Sequence, residues 1–139
     1  MKYWFTSDEH YGHVNIIKYC DRPFSNVDEM DNEIIKKHNE VVSKEDTVVH
    51  VGDFTLRDGR EAANYIRRLN GHHIFIRGSH DYWLQEEVPY FDGVGEIWEK
   101  RIEGIYVIAC HYAMKVWPGS HFNSWQFYGH SHGKLQGVG

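Results

Sequence analysis

The stretch Lys2–His10, "KYWFTSDEH", opens with aromatic and β-branched residues over Lys2–Thr6, which read as a strand, and then breaks into two acids and a histidine. The pattern recurs along the chain. Thr47–Val51 is a β-branched run that empties into "VGDF" (Val51–Phe54), and Ile74–Arg77 is a short strand that empties into "RGSHD" (Arg77–Asp81). Ile105–Cys110 leads to "CHY" (Cys110–Tyr112), and Trp125–Tyr128 leads to "GHSH" (Gly129–His132). Between these runs the spacing turns helical. Asn15–Cys20 reads as a short turn of helix. Asp28–Val42 carries Met30, Ile34, Ile35, Val41 and Val42 behind a cap at Asn26 or Asp28, and Asp58–Leu69 carries Ala62, Ala63, Tyr65, Ile66 and Leu69 before a stop at Gly71. Strands alternating with helices predict an α/β fold with an at least partly parallel sheet. Glu96–Glu103 and Ile105–Cys110, joined through Gly104, predict an antiparallel pair toward the carboxyl end.

Each cluster of acids and histidines therefore falls just past the end of a strand, where open α/β sheets assemble their sites. The chain has 139 residues, enough for one domain with a real core, and 41% hydrophobic against 25% charged residues is the balance of a folded globular protein. No apolar run is long enough to span a bilayer, and no signal stretch precedes the first strand, so the expected location is cytoplasmic with no membrane partner. A net charge of −5 argues against an extended nucleic-acid-binding surface, which needs surplus Lys and Arg. The two cysteines, Cys20 and Cys110, suggest no disulfide framework and are expected to be reduced core residues.

Asp8, His10, Asp53, His111, His130 and His132 offer two carboxylates and four imidazoles from different strand ends. Mixed oxygen and nitrogen donors suit Mn, Fe, Co, Ni or Zn, and the lack of thiolates argues against a closed structural zinc site. Six donors are too many for one metal that keeps an open position. Two metals roughly 3.5–4 Å apart, sharing a carboxylate and a water, would use them all and would suit phosphoryl transfer. A lone histidine at a strand end is more often a hydrogen-bonding residue than a ligand, and His38, His50, His72 and His73 are read that way. Neither H-E-x-x-H nor H-x-E with C-x-x-C occurs, which excludes the common zinc peptidase and deaminase patterns.

The ordered set "DEH", "GDF", "GSHD", "CHY" and "GHSH", spanning Asp8 to His132, resembles the calcineurin-like metallophosphoesterase superfamily. The flanking "DEHYGHVNIIKYCDRPF" and "GSHFNSWQFYGHSHG" resemble its small, cap-free bacterial and phage members. The resemblance implies a four-layer α/β/β/α sandwich formed by one domain over residues 1–139, and two divalent metal ions, with Mn favoured. It implies that Asp8, His10 and His132 hold the first metal, that Asp53 bridges, and that His111 and His130 hold the second. A hydroxide bridging the metals would attack a phosphomonoester or phosphodiester, with a nucleotide among the candidate substrates, and His80 would contact the scissile phosphate and assist the leaving group.

Ser79 departs from the family pattern. Relatives carry an asparagine there that ligates the second metal and reaches the phosphate, and a serine hydroxyl in that double role is shorter and weaker, so a water would fill the gap. An attenuated enzyme, a variant working through that water, and a non-catalytic metal-binding or interaction protein on the same fold remain open alternatives. The chain stops at Gly139, seven residues past His132, where family members usually run on through another strand or two, so whether the domain over 1–139 lacks C-terminal strands is left open, and pairing with a second copy along the last strand, giving an oligomer, is one alternative.

Around this set, His13 and Arg22 are candidate phosphate contacts, and Arg77 is expected to anchor its loop. Asp81 is expected to orient His80 or hold the loop rather than bind metal. The aromatics Tyr11, Tyr82, Trp83, Tyr112, Trp117 and Trp125 crowd the motif loops, where one or two could stack on a nucleobase. Trp117–Asn123 lacks periodicity and is the candidate substrate-side loop, with His121 a loop residue.

Overall fold

The structure, a computed structural model, describes residues 1–86, 93–132 and 134–135. Four strands, β1 (Tyr3–Thr6), β2 (Thr47–Val51), β3 (His72–Ile76) and β4 (Gly93–Gly95), pair side by side in that order, all parallel. A second sheet holds β5 (Ile97–Ile102), β6 (Ile105–Cys110) and β7 (Trp125–Phe127). In it β5 and β6 form the antiparallel hairpin expected from Gly104, and β7 lies parallel to β6. The helices are α1 (Val14–Tyr19), α2 (Val27–Val41) and α3 (Gly59–Arg67), with a 3-10 turn at Tyr82–Gln85.

Alternation along β2 and β3 sorts the core into two. Phe75 joins Ile35 of α2, Ala62 and Ile66 of α3, and Tyr11, Phe54 and Trp83 on one face of the parallel sheet. Val49, Val51 and Ile76 face the other way and meet Ala109 of β6, with Phe5, Trp98 and Phe127 around them. The layer order is thus helices, parallel sheet, second sheet. Among the described residues no helix follows β7, so the mixed α/β class with a parallel sheet stands, and three of the four expected layers are seen.

Local chemistry explains the boundaries. The Asn26 side chain accepts from Glu29 N–H at 2.8 Å, so Asn26 and not Asp28 caps α2, and Asp58 caps α3 by accepting from Glu61 N–H. Asp46 accepts from Lys2 N–H, the Trp4 indole N–H and Ser43 N–H at 2.8, 2.9 and 3.0 Å, which locks the start of β1 to the start of β2 and holds its carboxyl well below the usual range. Two elements escape the sequence reading. β4 is a Gly-Val-Gly segment with no apolar run, and the 3-10 turn is too short to carry a period. The tail at 136–139, on which the question of further C-terminal strands turns, lies outside the described residues.

Candidate metal centre

Beyond the ends of β1 and β2 the two following segments stay zipped together. Asp8 N–H donates to Gly52 O, His10 N–H to Asp53 O and Tyr11 N–H to Phe54 O, at 2.9 to 3.0 Å. This sets Asp8 and His10 beside Asp53. Gly129 N–H donates to His111 O at 2.9 Å and brings the "GHSH" loop alongside, where His130 N–H reaches the Asp8 carboxylate at 3.1 and 3.2 Å. Two glycines permit the approach: a Cβ at Gly52, whose φ is +93°, would lie 2.1 Å from His111 Nδ1, and one at Gly129 would lie 1.9 Å from Ser7 Oγ.

Asp8, His10, Asp53, His130 and His132 all have φ between 50° and 67°, a left-handed conformation that costs an ordinary residue on the order of 1 kcal/mol or more. Five of the six residues singled out from sequence carry this strain, and His111, ending β6, is the exception.

The strain converges six side chains on one spot. Asp8, His10 and His132 place one ligand atom each within 4.8 Å of one another, and Asp53, His111 and His130 do the same. Asp53 Oδ2 faces both groups, 3.6 Å from His10 Nε2 and 3.2 Å from His111 Nε2, and Asp8 Oδ1 lies 3.8 Å from His10 Nε2 and 3.6 Å from His132 Nε2. His10 Nε2 and His111 Nε2 are buried without a hydrogen-bond partner. Buried polar atoms are seldom left so, and here they point at carboxylates that likewise need compensation. The donor set and the orphaned nitrogens fit divalent cations.

The opposite ring nitrogens are held. His111 Nδ1 meets Val51 O at 2.9 Å, His10 Nδ1 meets His13 Nδ1 at 3.0 Å, and His132 Nδ1 meets Cys20 Sγ at 3.5 Å. Such contacts fix which nitrogen faces a metal. Burial works against charge on Asp53, but the nearby His111 ring and the His80 N–H outweigh it and bring its pKa down to about 2. On Asp8 the contacts with His10 and Ser7 likewise outweigh burial and lower the pKa. Burial opposes a proton on His111 too, yet the Asp53 carboxylate and the Val51 carbonyl raise its pKa above the ordinary histidine value.

The other sequence candidates differ in where they lie relative to this centre. Asp81 is buried and accepts from Asp53, Phe54 and Gly78 N–H at 2.6, 2.8 and 2.8 Å and from the Trp83 indole at 3.0 Å, so it holds the loops after β2 and β3 together. Ser79 Oγ lies 3.4 Å from both Asp53 carboxylate oxygens. The His80 ring sits 5.5 Å from that of His10 and 6.1 Å from that of His13, centre to centre. Arg22 turns inward: its two terminal nitrogens donate to Glu9 O and Asp8 O at 2.7 and 2.6 Å, which props the Asp8–His10 loop. Trp117–Asn123 is pinned by Trp117 Nε1–H to Ser124 Oγ and by Ser124 Oγ–H to Pro118 O, and it lines cavities beside Trp125 and Arg101, away from the cleft that adjoins Ser79.

Sequence reasoning missed three neighbours. Ser7 donates to Asp8 Oδ2 at 2.6 Å, Cys20 touches His132 although it reads as inert core and is only half-buried, and Glu9 turns away from Asp8 and His10 into the protein. Glu9 Oε2 lies 2.6 Å from His50 Nδ1, His50 Nε2 lies 2.9 Å from His73 Nδ1, and His73 Nε2 lies 3.3 Å from Leu69 O. A carbonyl only accepts, so the proton on His73 sits on Nε2, its Nδ1 accepts from His50 Nε2–H, and the last proton of the chain lies between His50 Nδ1 and Glu9. Burial agrees, pushing Glu9 up to about 8 and His50 down to about 3. No signal in sequence joins residues this far apart.

The calcineurin-like phosphoesterase profile matches residues 1–115. An uncharacterized protein of Methanocaldococcus jannaschii is 35% identical over 134 residues, 94% of this chain and 69% of the relative. A crystal structure of a protein of unknown function from Aquifex aeolicus superposes with a TM-score of 0.70 at 28% identity, covering 83% of this chain, and the match spans only 63% of that protein's length.

Proposed function

This chain belongs to the calcineurin-like phosphoesterase family, and from that premise we propose that it hydrolyses phosphoesters at the Asp8–Asp53–His132 centre with two divalent cations bound. The observation that carries the proposal is Asp53 Oδ2 facing two orphaned imidazole nitrogens, one from each group of three. Asp8, His10 and His132 would hold one cation, His111 and His130 the other, and Asp53 would serve both. Ser79, level with both Asp53 oxygens, would complete the second site through its hydroxyl or an intervening water. Mn suits the oxygen and nitrogen donors. When bound, such a pair draws charge from the phosphoryl oxygens and makes a water nucleophilic at neutral pH.

The chain's own residues supply the rest. An Nε2 of His10 turned to a cation leaves the ring proton on Nδ1, which donates to His13 Nδ1; His13 then carries its proton on Nε2 and can donate it to a phosphate oxygen. Burial and the neighbouring His10 and His80 lower the pKa of His13 and favour this neutral form. His80 is held beside Asp53 by its backbone N–H on Oδ1 at 2.9 Å, and its ring, in the protonated form, would give a proton to the departing oxygen and be left neutral. Family membership further supports completion of the three observed layers to the four-layer α/β/β/α sandwich.

The test is hydrolysis of bis-p-nitrophenyl phosphate and p-nitrophenyl phosphate with added Mn by the chain and its Asp53→Asn, His80→Ala and Ser79→Asn variants. Activity should fall to background in Asp53→Asn. In His80→Ala turnover should drop about 10²- to 10⁴-fold with metal content intact. Ser79→Asn should tighten the second metal and raise the rate. No turnover by the chain or by Ser79→Asn, with two cations bound, would favour the second reading that Ser79 keeps alive, a metal-binding protein without catalysis.

A further inference from the structure

Beside the metal centre the surface changes character. A cleft of about 420 Å³ opens between the end of β3 and the facing ends of β5 and β6, lined by Arg77, Ser79, Tyr82, Glu96, Ile97 and Tyr112 among others. Tyr82, Ile97 and Tyr112 are 63%, 59% and 48% exposed. Three large side chains left bare within one cleft, next to a centre made almost wholly of acids and imidazoles, mark a surface that binds something. Register places them together: Ile97 pairs with Cys110 at the end of β6, two residues before Tyr112, while Arg77 N–H donates to Gly95 O at 2.9 Å and carries the β3 loop to the same rim.

The cleft is tied to the phosphate end of the site. Ser79 lines it and lies 3.4 Å from Asp53, and the Tyr112 ring packs 4.9 Å from that of His111 and 5.0 Å from that of His130. A group in the cleft would therefore belong to the same molecule as a phosphoryl group at Asp53, with a short spacer such as a ribose between the two. Its chemistry follows from the lining. Tyrosine faces stack on flat π-systems, while Arg77 and Glu96 offer a donor and an acceptor. A second phosphate would meet the Glu96 carboxylate, whereas a neutral ring with polar edges meets both partners.

We propose that this cleft is a subsite for a nucleobase, so that the substrates of the phosphoesterase site are nucleotide phosphoesters held with the base against Tyr82, Ile97 and Tyr112. The proposal rests on the phosphoesterase reading above. The test compares binding of adenosine 5′-monophosphate, ribose 5-phosphate and phenyl phosphate to the Mn-loaded chain and its Tyr82→Ala variant by titration calorimetry. Stacking on one tyrosine is worth roughly a tenfold preference, so the adenosine compound should bind about ten times more tightly than ribose 5-phosphate, with most of that margin gone in Tyr82→Ala. Equal affinities, or a margin that survives the substitution, would overturn the subsite and leave the phosphoesterase reading intact. Phenyl phosphate binding as tightly as the adenosine compound would overturn the nucleobase assignment. Binding of none of the three, together with no hydrolysis of p-nitrophenyl phosphate, would instead overturn the phosphoesterase reading beneath it.

Discussion

Two groups of histidines lie on either side of the Asp8–His10 loop, and they differ in what their nitrogens do. In one, His10 and His111 present buried Nε2 atoms to carboxylates at 3.2 to 3.8 Å with no hydrogen-bond partner. In the other, both ring nitrogens of His50 and of His73 are engaged in a chain from Glu9 to Leu69 O, and His38 stacks against His50 with its own Nε2 on Asn70 O. Residue type is the same and burial is similar. Completed hydrogen bonds make an imidazole part of the packing, whereas an orphaned nitrogen facing a carboxylate leaves a place for a cation.

Exchanging the loss between the groups tests this most severely. His111→Ala should abolish hydrolysis and release the second metal while costing the metal-free fold little, whereas His50→Ala should strand Glu9 and His73 and cost several kcal/mol of stability with metal content preserved in the folded fraction. Elemental analysis and thermal melts read both arms, and a loss of metal in His50→Ala would erase the distinction. A smaller effect is expected at the contact that orients His10: His13→Ala should weaken metal affinity about 10- to 100-fold, as losses of such orienting partners do. Unchanged affinity with a raised KM would make His13 a substrate contact alone.

The weakest effect belongs to pH. Glu9, raised to about 8 from 4.5, contributes stability that is complete below 4.5 and lost as pH rises toward 8. His50, lowered to about 3 from 6.5, contributes stability that is complete above 6.5 and lost as pH falls toward 3. The two oppose each other between pH 4.5 and 6.5. Above 6.5 only the Glu9 loss continues, joined by His111, whose raised pKa has the same sign. The metal-free chain should therefore lose on the order of 1–2 kcal/mol between pH 6.5 and 8. Glu9→Gln, which keeps a donor for His50 but cannot ionise, should flatten much of that decline, and an undiminished slope would put the proton elsewhere.

The sequence carries every strand but β4, the capped helices and the clustering of Asp8, His10, Asp53, His111, His130 and His132 at strand ends, because each is written locally, in a β-branched run or in a spacing of a few residues. What it does not carry is direction. Arg22 sits in the loop where a phosphate contact is reasonable, but only the fold shows its guanidinium turned to Glu9 O and Asp8 O. Cys20 and His132 are 112 residues apart and meet only once the loops close. The left-handed backbone at five of the six residues is likewise not legible in sequence, since Asp and His tolerate it better than most residues but adopt it at only a small share of their positions.

The most direct test is anomalous diffraction from crystals of the Mn-loaded chain. Two peaks are expected, one against Asp8, His10 and His132 and one against Asp53, His111 and His130, with Asp53 between them. No peak at either group, or a peak at His38, His50 and His73, would contradict the division of labour between the two sets of histidines.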